Sequence, residues 1–205
     1  MLHYKTIDNK TLDLLRQLLS VPEFSKLRLV GGTSLALQIG HRKSVDLDLF
    51  GHIDADEFAI AEQLMKVGQT TRLQKSVNIN IYLINKIKVD IVNYPYKWLE
   101  EAVIEDGLVL ADKQDIAAMK LSAITGRGSK KDFIDLIFLL KEFTLEKLLR
   151  FYTGKYPDGS KFLVLKSLSY FIDADEDEMP IMINPIHWDH VKTLITSSVE
   201  SFIKN

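Results

Sequence analysis

Residues 45–50, Val-Asp-Leu-Asp-Leu-Phe, set carboxylates at alternate positions in an otherwise apolar run, and a glycine pair, Gly31–Gly32, closes another apolar run upstream. Successive side chains of a β-strand point to opposite faces. The alternation therefore predicts a strand with Asp46 and Asp48 on one face and Val45, Leu47 and Leu49 on the other. Two carboxylates on one face repel each other unless a cation joins them. Glycines at a strand-to-helix turn let backbone N–H groups approach a phosphate, although glycine also supplies ordinary tight turns. Together, the glycine turn and Asp-x-Asp point to phosphate chemistry on a divalent metal.

The remaining pattern divides the chain. Leu12, Leu15, Leu18 and Leu19 have helical spacing, and residues 26–30 alternate as a short strand into the glycines. Residues 33–39 suit a buried helix closed by Gly40, and residues 41–44 form a basic loop. Asp54-x-x-Glu57 resembles a capping box for a helix carrying Phe58, Ala61, Leu64 and Met65. Strands are predicted at 70–75, 78–84 and 87–92, the last two joined through Asn85–Lys86. In the third of these Ile87, Val89 and Ile91 face one way, leaving Lys88 and Asp90 on the other. After Trp98 the spacing becomes helical, at 112–125, 130–141, 145–151, 160–172 and 188–203. The expected class is α+β: a mixed sheet in residues 23–110, flanked by helices, then a helical C-terminal portion. The expected domains are 1–110 and 111–205.

Composition narrows the function classes. A formal net charge of -2 supplies no global attraction to nucleic acid, so such contact would need a local basic patch, for which Arg127, Lys130 and Lys131 are the best candidates. The absence of cysteine excludes disulfides, thiolate metal sites and cysteine nucleophiles. No apolar run approaches the length of about 18 residues that a membrane helix requires, and the N-terminus lacks a signal-peptide core, so a cytoplasmic protein without membrane partners is expected.

Several motifs in order resemble a known family. These are Gly31-Gly32-Thr33-Ser34-Leu35; Arg42-x-Ser44-x-Asp46-x-Asp48; Lys88-x-Asp90; Asp115 followed by Lys120 and Ala123; then Arg127 and Lys131-Asp132-x-x-Asp135-Leu136. The set resembles the AbiEii/AbiGii nucleotidyltransferase toxins of bacterial abortive-infection and type IV toxin–antitoxin systems, which are themselves similar to polymerase β-like nucleotidyltransferases. The resemblance runs from about residue 25 to 140, and the C-terminal Trp188 helix is also similar. It implies a Mg²⁺-dependent transfer of a nucleoside monophosphate from an NTP to an acceptor, with loss of pyrophosphate. The acceptor implied is RNA, in some members the tRNA 3′ end, and a cognate antitoxin is a possible partner.

Residue by residue, the resemblance implies that Gly31, Gly32 and Thr33 hold the triphosphate and that Asp46 and Asp48 hold one or two Mg²⁺ ions. Such hard cations bind through one or two carboxylates plus substrate phosphates. Asp90 would complete the metal site or accept the proton of the attacking hydroxyl. Lys120 would neutralise phosphate charge, and Asp132 would position that lysine or the nucleotide. Arg42, Ser44, Arg127 and Asp135 are further nucleotide-binding candidates.

Plainer readings stand beside these. Asp46-x-Asp48 could be a solvated strand face, Lys120 a snorkelling surface lysine, Asp132 a charge favoured by a helix N-terminus, and Arg42 a solvated loop charge. Asp132 and Asp135 share a helix face with Leu136 and Leu139, which suggests a buried polar site. Asp173-x-Asp175-x-Asp177 imitates a calcium loop but has Glu178 where glycine is required, so a solvated acidic loop is expected. His187-x-x-His190 lacks a third zinc ligand. The competing functions are a non-catalytic nucleotide- or partner-binding protein on the same fold, and a nucleotidyltransferase acting on a small molecule or a protein.

Overall fold

In the computed structural model, which describes residues 1–54 and 56–204 and Glu57 by its backbone alone, Leu27–Val30 forms strand β1 and Leu47–Gly51 forms β2. Leu27, Leu29, Leu47 and Leu49 are fully buried, as alternation against one packed face demands. The two strands pair antiparallel, and the chain between them makes helix α2, Gly31–Ile39, which starts directly off β1 and is closed by Gly40 in the left-handed conformation.

Helix α1, Asn9–Leu19, precedes them, capped by the Asp8 side chain, which accepts from the Thr11 N–H at 3.0 Å. After β2 come α3 (Glu57–Val67), β3 (Thr70–Lys75), β4 (Ile79–Ile84) and β5 (Ile87–Asn93). Asn85 and Lys86 both have positive φ, the geometry of a two-residue hairpin turn between twisted strands. The sheet has seven strands in the order β3-β4-β5-β2-β1-β7-β6. It is mixed: β2 pairs parallel with β5 and β1 with β7, while the other neighbours are antiparallel. Its core gathers Leu15, Leu18 and Phe24 with Leu29, Leu49, Val89 and Ile91.

Strands β6 (Val103–Glu105) and β7 (Leu108–Leu110) form a hairpin within the span of 23–110 expected for the sheet, where the sequence reading named no strand. The turn is Asp106–Gly107, both with positive φ, a strong hairpin signal that the shortness of the strands conceals. Three smaller expectations also change. Val45 is 59% exposed because strand pairing begins at Leu47. The cap of α3 is Asp56, which accepts from the Ala59 N–H at 2.9 Å, whereas Asp54 pairs with Lys26 and His52; the Glu57 side of the expected capping box lies outside the described residues. The helix expected over 160–172 is α7, Lys161–Ser167, followed separately by the short α8, Ile172–Asp175.

Contacts divide the chain into two units, Met1–Pro95 with Ala102–Ala111, and Tyr96–Glu101 with Asp112–Asn205. The second unit is helical: α4 (Lys113–Gly126), α5 (Lys130–Leu139), α6 (Leu145–Lys155), α7, α8 and α9 (Trp188–Lys204). Within it α4 packs on α5, α6 and α7, and α9 on α5 and α6.

Candidate functional site

In the sheet unit, the register of the parallel β2–β5 pair sets Asp48 directly beside Asp90. Side chains at paired positions of neighbouring strands share a sheet face, so two carboxylates distant in sequence stand next to one another. Val30 is the partner of Asp48 on the other side, which brings the turn after β1 against the same carboxylate. There Gly31 has φ +68°, and a Cβ added to it would collide with Asp48 Oδ2 and lie 3.1 Å from Cγ. Gly31 is thus required twice, for the left-handed backbone and for the close approach of the α2 N-terminus to a carboxylate. Like Asp48 and Asp90, Asp46 is half-buried, and it lies in the segment just before β2.

That segment is anchored from beneath. The Thr33 hydroxyl, 1% exposed, donates to the Asp46 carbonyl and lies 2.8 Å from the Ser44 hydroxyl, from which it accepts; the Ser44 N–H donates to the Thr6 carbonyl at 2.9 Å. Both side chains hold the Asp46 loop. Arg42 is 3% exposed and donates to the Lys43 carbonyl at 3.0 Å, so it is a buried loop residue and not a solvated charge. Lys88 shares its strand face with Asp90 and pairs with it, Nζ to Oδ1 at 2.7 Å.

The helical unit carries a different arrangement. Lys120 on α4 reaches Asp132 Oδ1 at 2.8 Å and Asp135 Oδ2 at 2.6 Å, both on α5. Both aspartates are fully buried and Lys120 is 5% exposed, so it is not a snorkelling surface lysine. The three-residue spacing of Asp132 and Asp135 puts both carboxylates on one side of α5, where they grip the same ammonium. Asp132 Oδ2 also accepts from Arg127 Nε at 3.0 Å and from the Ser129 hydroxyl at 2.6 Å. Burial, the largest influence, would raise the Asp132 carboxyl, but the Lys120 and Arg127 charges and their hydrogen bonds together outweigh it and lower its pKa to about 2. The Arg127 side chain is 64% exposed although it bonds Asp132.

Lys130 does not join Arg127 in a basic patch. It is 6% exposed, its N–H donates to Asp177 Oδ2 at 2.8 Å, and its ammonium donates to the carbonyls of Asp175 and Asp177. Asp175 accepts from Trp188 Nε1 at 2.6 Å and from Lys192 at 3.0 Å. The acidic stretch is exposed at Asp173 and at residues 175–178, as the sequence suggested, and it also ties α5 and α9 together. A second buried charge pair escaped the sequence reading: Lys155 and Asp115, 2.6 Å apart, both with fully buried side chains. Asp115 also accepts the Leu99 and Glu100 N–H groups, and Lys155 lies 4.5 Å from the Trp98 ring centroid. A lone lysine near a helix end leaves no periodic signal that could have announced this.

Among the described residues, no three histidine or carboxylate groups form a cluster able to hold a metal ion. A closed protein cage is therefore not the relevant test. Mg²⁺ takes one or two carboxylates and completes its shell with water and substrate phosphates, and the in-register Asp48–Asp90 pair is an oxygen donor set of that kind.

Comparison with known proteins bears on this arrangement. The family described as "Nucleotidyl transferase AbiEii toxin, Type IV TA system" matches residues 13–196. The Aquifex aeolicus (strain VF5) protein aq_aa25, described as uncharacterised, is 35% identical over 199 residues, 94% of this chain and 96% of that protein. Two solved structures share the fold. JHP933 from Helicobacter pylori superposes with a TM-score of 0.62 at 17% identity, covering 97% of this chain and 94% of that one. The nucleotidyltransferase toxin MenT4 from Mycobacterium tuberculosis H37Rv superposes with a TM-score of 0.58 at 16% identity, covering 93% and 82%.

Proposed function

This chain belongs to the AbiEii nucleotidyl transferase toxin family of type IV toxin–antitoxin systems, and we propose that it transfers a nucleoside monophosphate from an NTP to RNA in a Mg²⁺-dependent reaction. The observation that carries this reading is the register match of Asp48 with Asp90 under Gly31. Adjacent carboxylates held half-buried on a sheet face form an anionic position that a divalent cation completes. When bound, the metal would stabilise the charge developing on the transferred phosphoryl group and the leaving pyrophosphate.

The chain's own residues divide the remaining work. Asp48 and Asp90 would hold the cation together with water and substrate phosphates, and Asp90 is also the candidate to accept the proton of the acceptor hydroxyl. Asp46, expected from the sequence as a third ligand, forms no three-carboxylate cluster with them. Gly31 and Gly32 open the α2 N-terminus, where N–H groups favour a phosphate. Thr33 and Ser44 fix the Asp46 loop through the hydrogen bonds they make. In the helical unit Asp132 and Asp135 orient Lys120, and Arg127, largely exposed beside Asp132, is a candidate to meet a phosphate. The sheet unit is proposed as the nucleotidyltransferase core. No helix among the described residues is long and apolar enough to cross a membrane, and the proposed NTP substrate favours a cytoplasmic reaction.

Incubating the purified protein with each labelled NTP, Mg²⁺ and total RNA tests the proposal. Label in a tRNA band that is lost with Asp48→Ala and with Asp90→Ala supports it. Label on protein or on a small acceptor moves the substrate assignment, and undiminished transfer by both variants overturns the site.

A further inference from the structure

Lys88 stands where the proposed metal site would least be expected to carry a positive charge. It lies two residues before Asp90 on β5, shares its face, and sets its ammonium 2.7 Å from Asp90 Oδ1. Asp90 is in turn the register partner of Asp48. The Asp90 side chain is 18% exposed and the Lys88 side chain 41%, so the carboxylate is held in place while the lysine has room to leave. A lysine stem is long and flexible, and its ammonium is a compact point charge that three donors can direct toward several partners.

We propose that Lys88 is an internal counter-ion that competes with the divalent cation for Asp90 and, once displaced, turns to the polyphosphate of the bound nucleotide. The inference rests on the reading of Asp48 and Asp90 as metal ligands. Without a cation the two neighbouring carboxylates repel each other, and the Lys88 ammonium offsets part of that repulsion. A divalent ion on the same carboxylates carries twice the charge and repels the ammonium. The polyphosphate on that face is the nearest anionic partner left for it. Metal and nucleotide then load in an ordered way, because Lys88 weakens the first binding step and strengthens the second.

The test is a Mn²⁺ titration followed by electron paramagnetic resonance, without nucleotide, on the wild type, Lys88→Met and Asp90→Asn. It is followed by binding of a non-hydrolysable NTP analogue to the Mn²⁺-loaded proteins. Loss of one partly exposed ion pair predicts that Lys88→Met binds Mn²⁺ more tightly by about 3–10-fold and the analogue more weakly by a similar factor. Asp90→Asn should lose most of the Mn²⁺ affinity. Lys88→Gln repeats the measurement with a polar side chain, and circular dichroism checks that each variant is folded. Equal or weaker Mn²⁺ binding by Lys88→Met overturns the role of Lys88 while leaving the metal site standing. Tighter Mn²⁺ binding with unchanged analogue affinity overturns the switch to phosphate alone. Absence of Mn²⁺ binding from every protein, with and without analogue, overturns the metal-site reading itself and this inference with it.

Discussion

The sheet unit and the helical unit both gather charged groups, and they do so in opposite ways. On the sheet, Asp48 and Asp90 are half-buried neighbours of like charge, with Lys88 pairing one of them. In the helices, Lys120, Arg127, Asp132 and Asp135 balance their charges, and the two carboxylates are entirely buried. The first sets two like charges side by side at half-buried positions, so a cation gains by entering it. The second is closed and satisfied, so its value lies in holding one geometry, since removing either partner of a buried pair leaves a desolvated charge. A carboxylate pair can thus serve binding or positioning, depending on whether its neighbours neutralise it.

Substitutions can break this contrast. The largest effect should come from Asp48→Asn: nucleotidyl transfer is expected to fall by at least about 10²–10³-fold, the scale of losing one electrostatic stabiliser. Stability should meanwhile hold or rise by about 0.5 kcal/mol, because one of two neighbouring like charges is gone. Transfer assays and urea denaturation on the same preparation read both, and a destabilised Asp48→Asn would mean that the sheet pair is structural. Lys120→Met should behave in the reverse order, costing about 3–5 kcal/mol because Asp132 and Asp135 remain buried without their ammonium. A Lys120→Met protein as stable as the wild type would show that the helical cluster is not the closed network described.

Two smaller effects sharpen the comparison. Acid should weaken the helical unit through Asp132, whose carboxyl is held at about 2 against an ordinary 3.8. Because the folded-state value is the lower one, the stabilisation of about 2 kcal/mol is present above about pH 4 and is lost as pH falls through about 2. Denaturation midpoints measured down that range should fall more steeply for the wild type than for Asp132→Asn. Gly31→Ala should cost about 1–2 kcal/mol for its left-handed backbone. Its contact with Asp48 should reduce transfer further, and full activity in that variant would place the turn away from the reaction.

Much of this fold is local and can be read along the chain. The strands at β3, β4 and β5, the Asn85–Lys86 turn and the glycine opening α2 follow from alternation and from backbone conformations that few residues adopt. The β6–β7 hairpin was equally local, since Asp106–Gly107 announces it, but strands of three residues give alternation too little length to register. The Asp54 cap was misplaced because Lys26, distant in sequence, takes that carboxylate and leaves Asp56 to the helix. The acidic stretch is exposed as its composition suggests, but that Lys130, Trp188 and Lys192 bond to it is not carried by any neighbouring residue in the sequence.

By itself, then, the sequence determined the class of fold, the order of motifs that marks the family, and the candidate carboxylates, because strand parity, helical spacing and glycine's conformational range act over a few residues. Tertiary structure decided which of these groups meet. The register of β2 on β5 brings Asp90, not a residue of either flanking position, beside Asp48; packing of α5 on α4 buries Lys120 between two aspartates; and Asp115 finds Lys155. Pairing across such separations depends on strand register and on desolvation, which are properties of the assembled core, and no stretch of chain carries them alone.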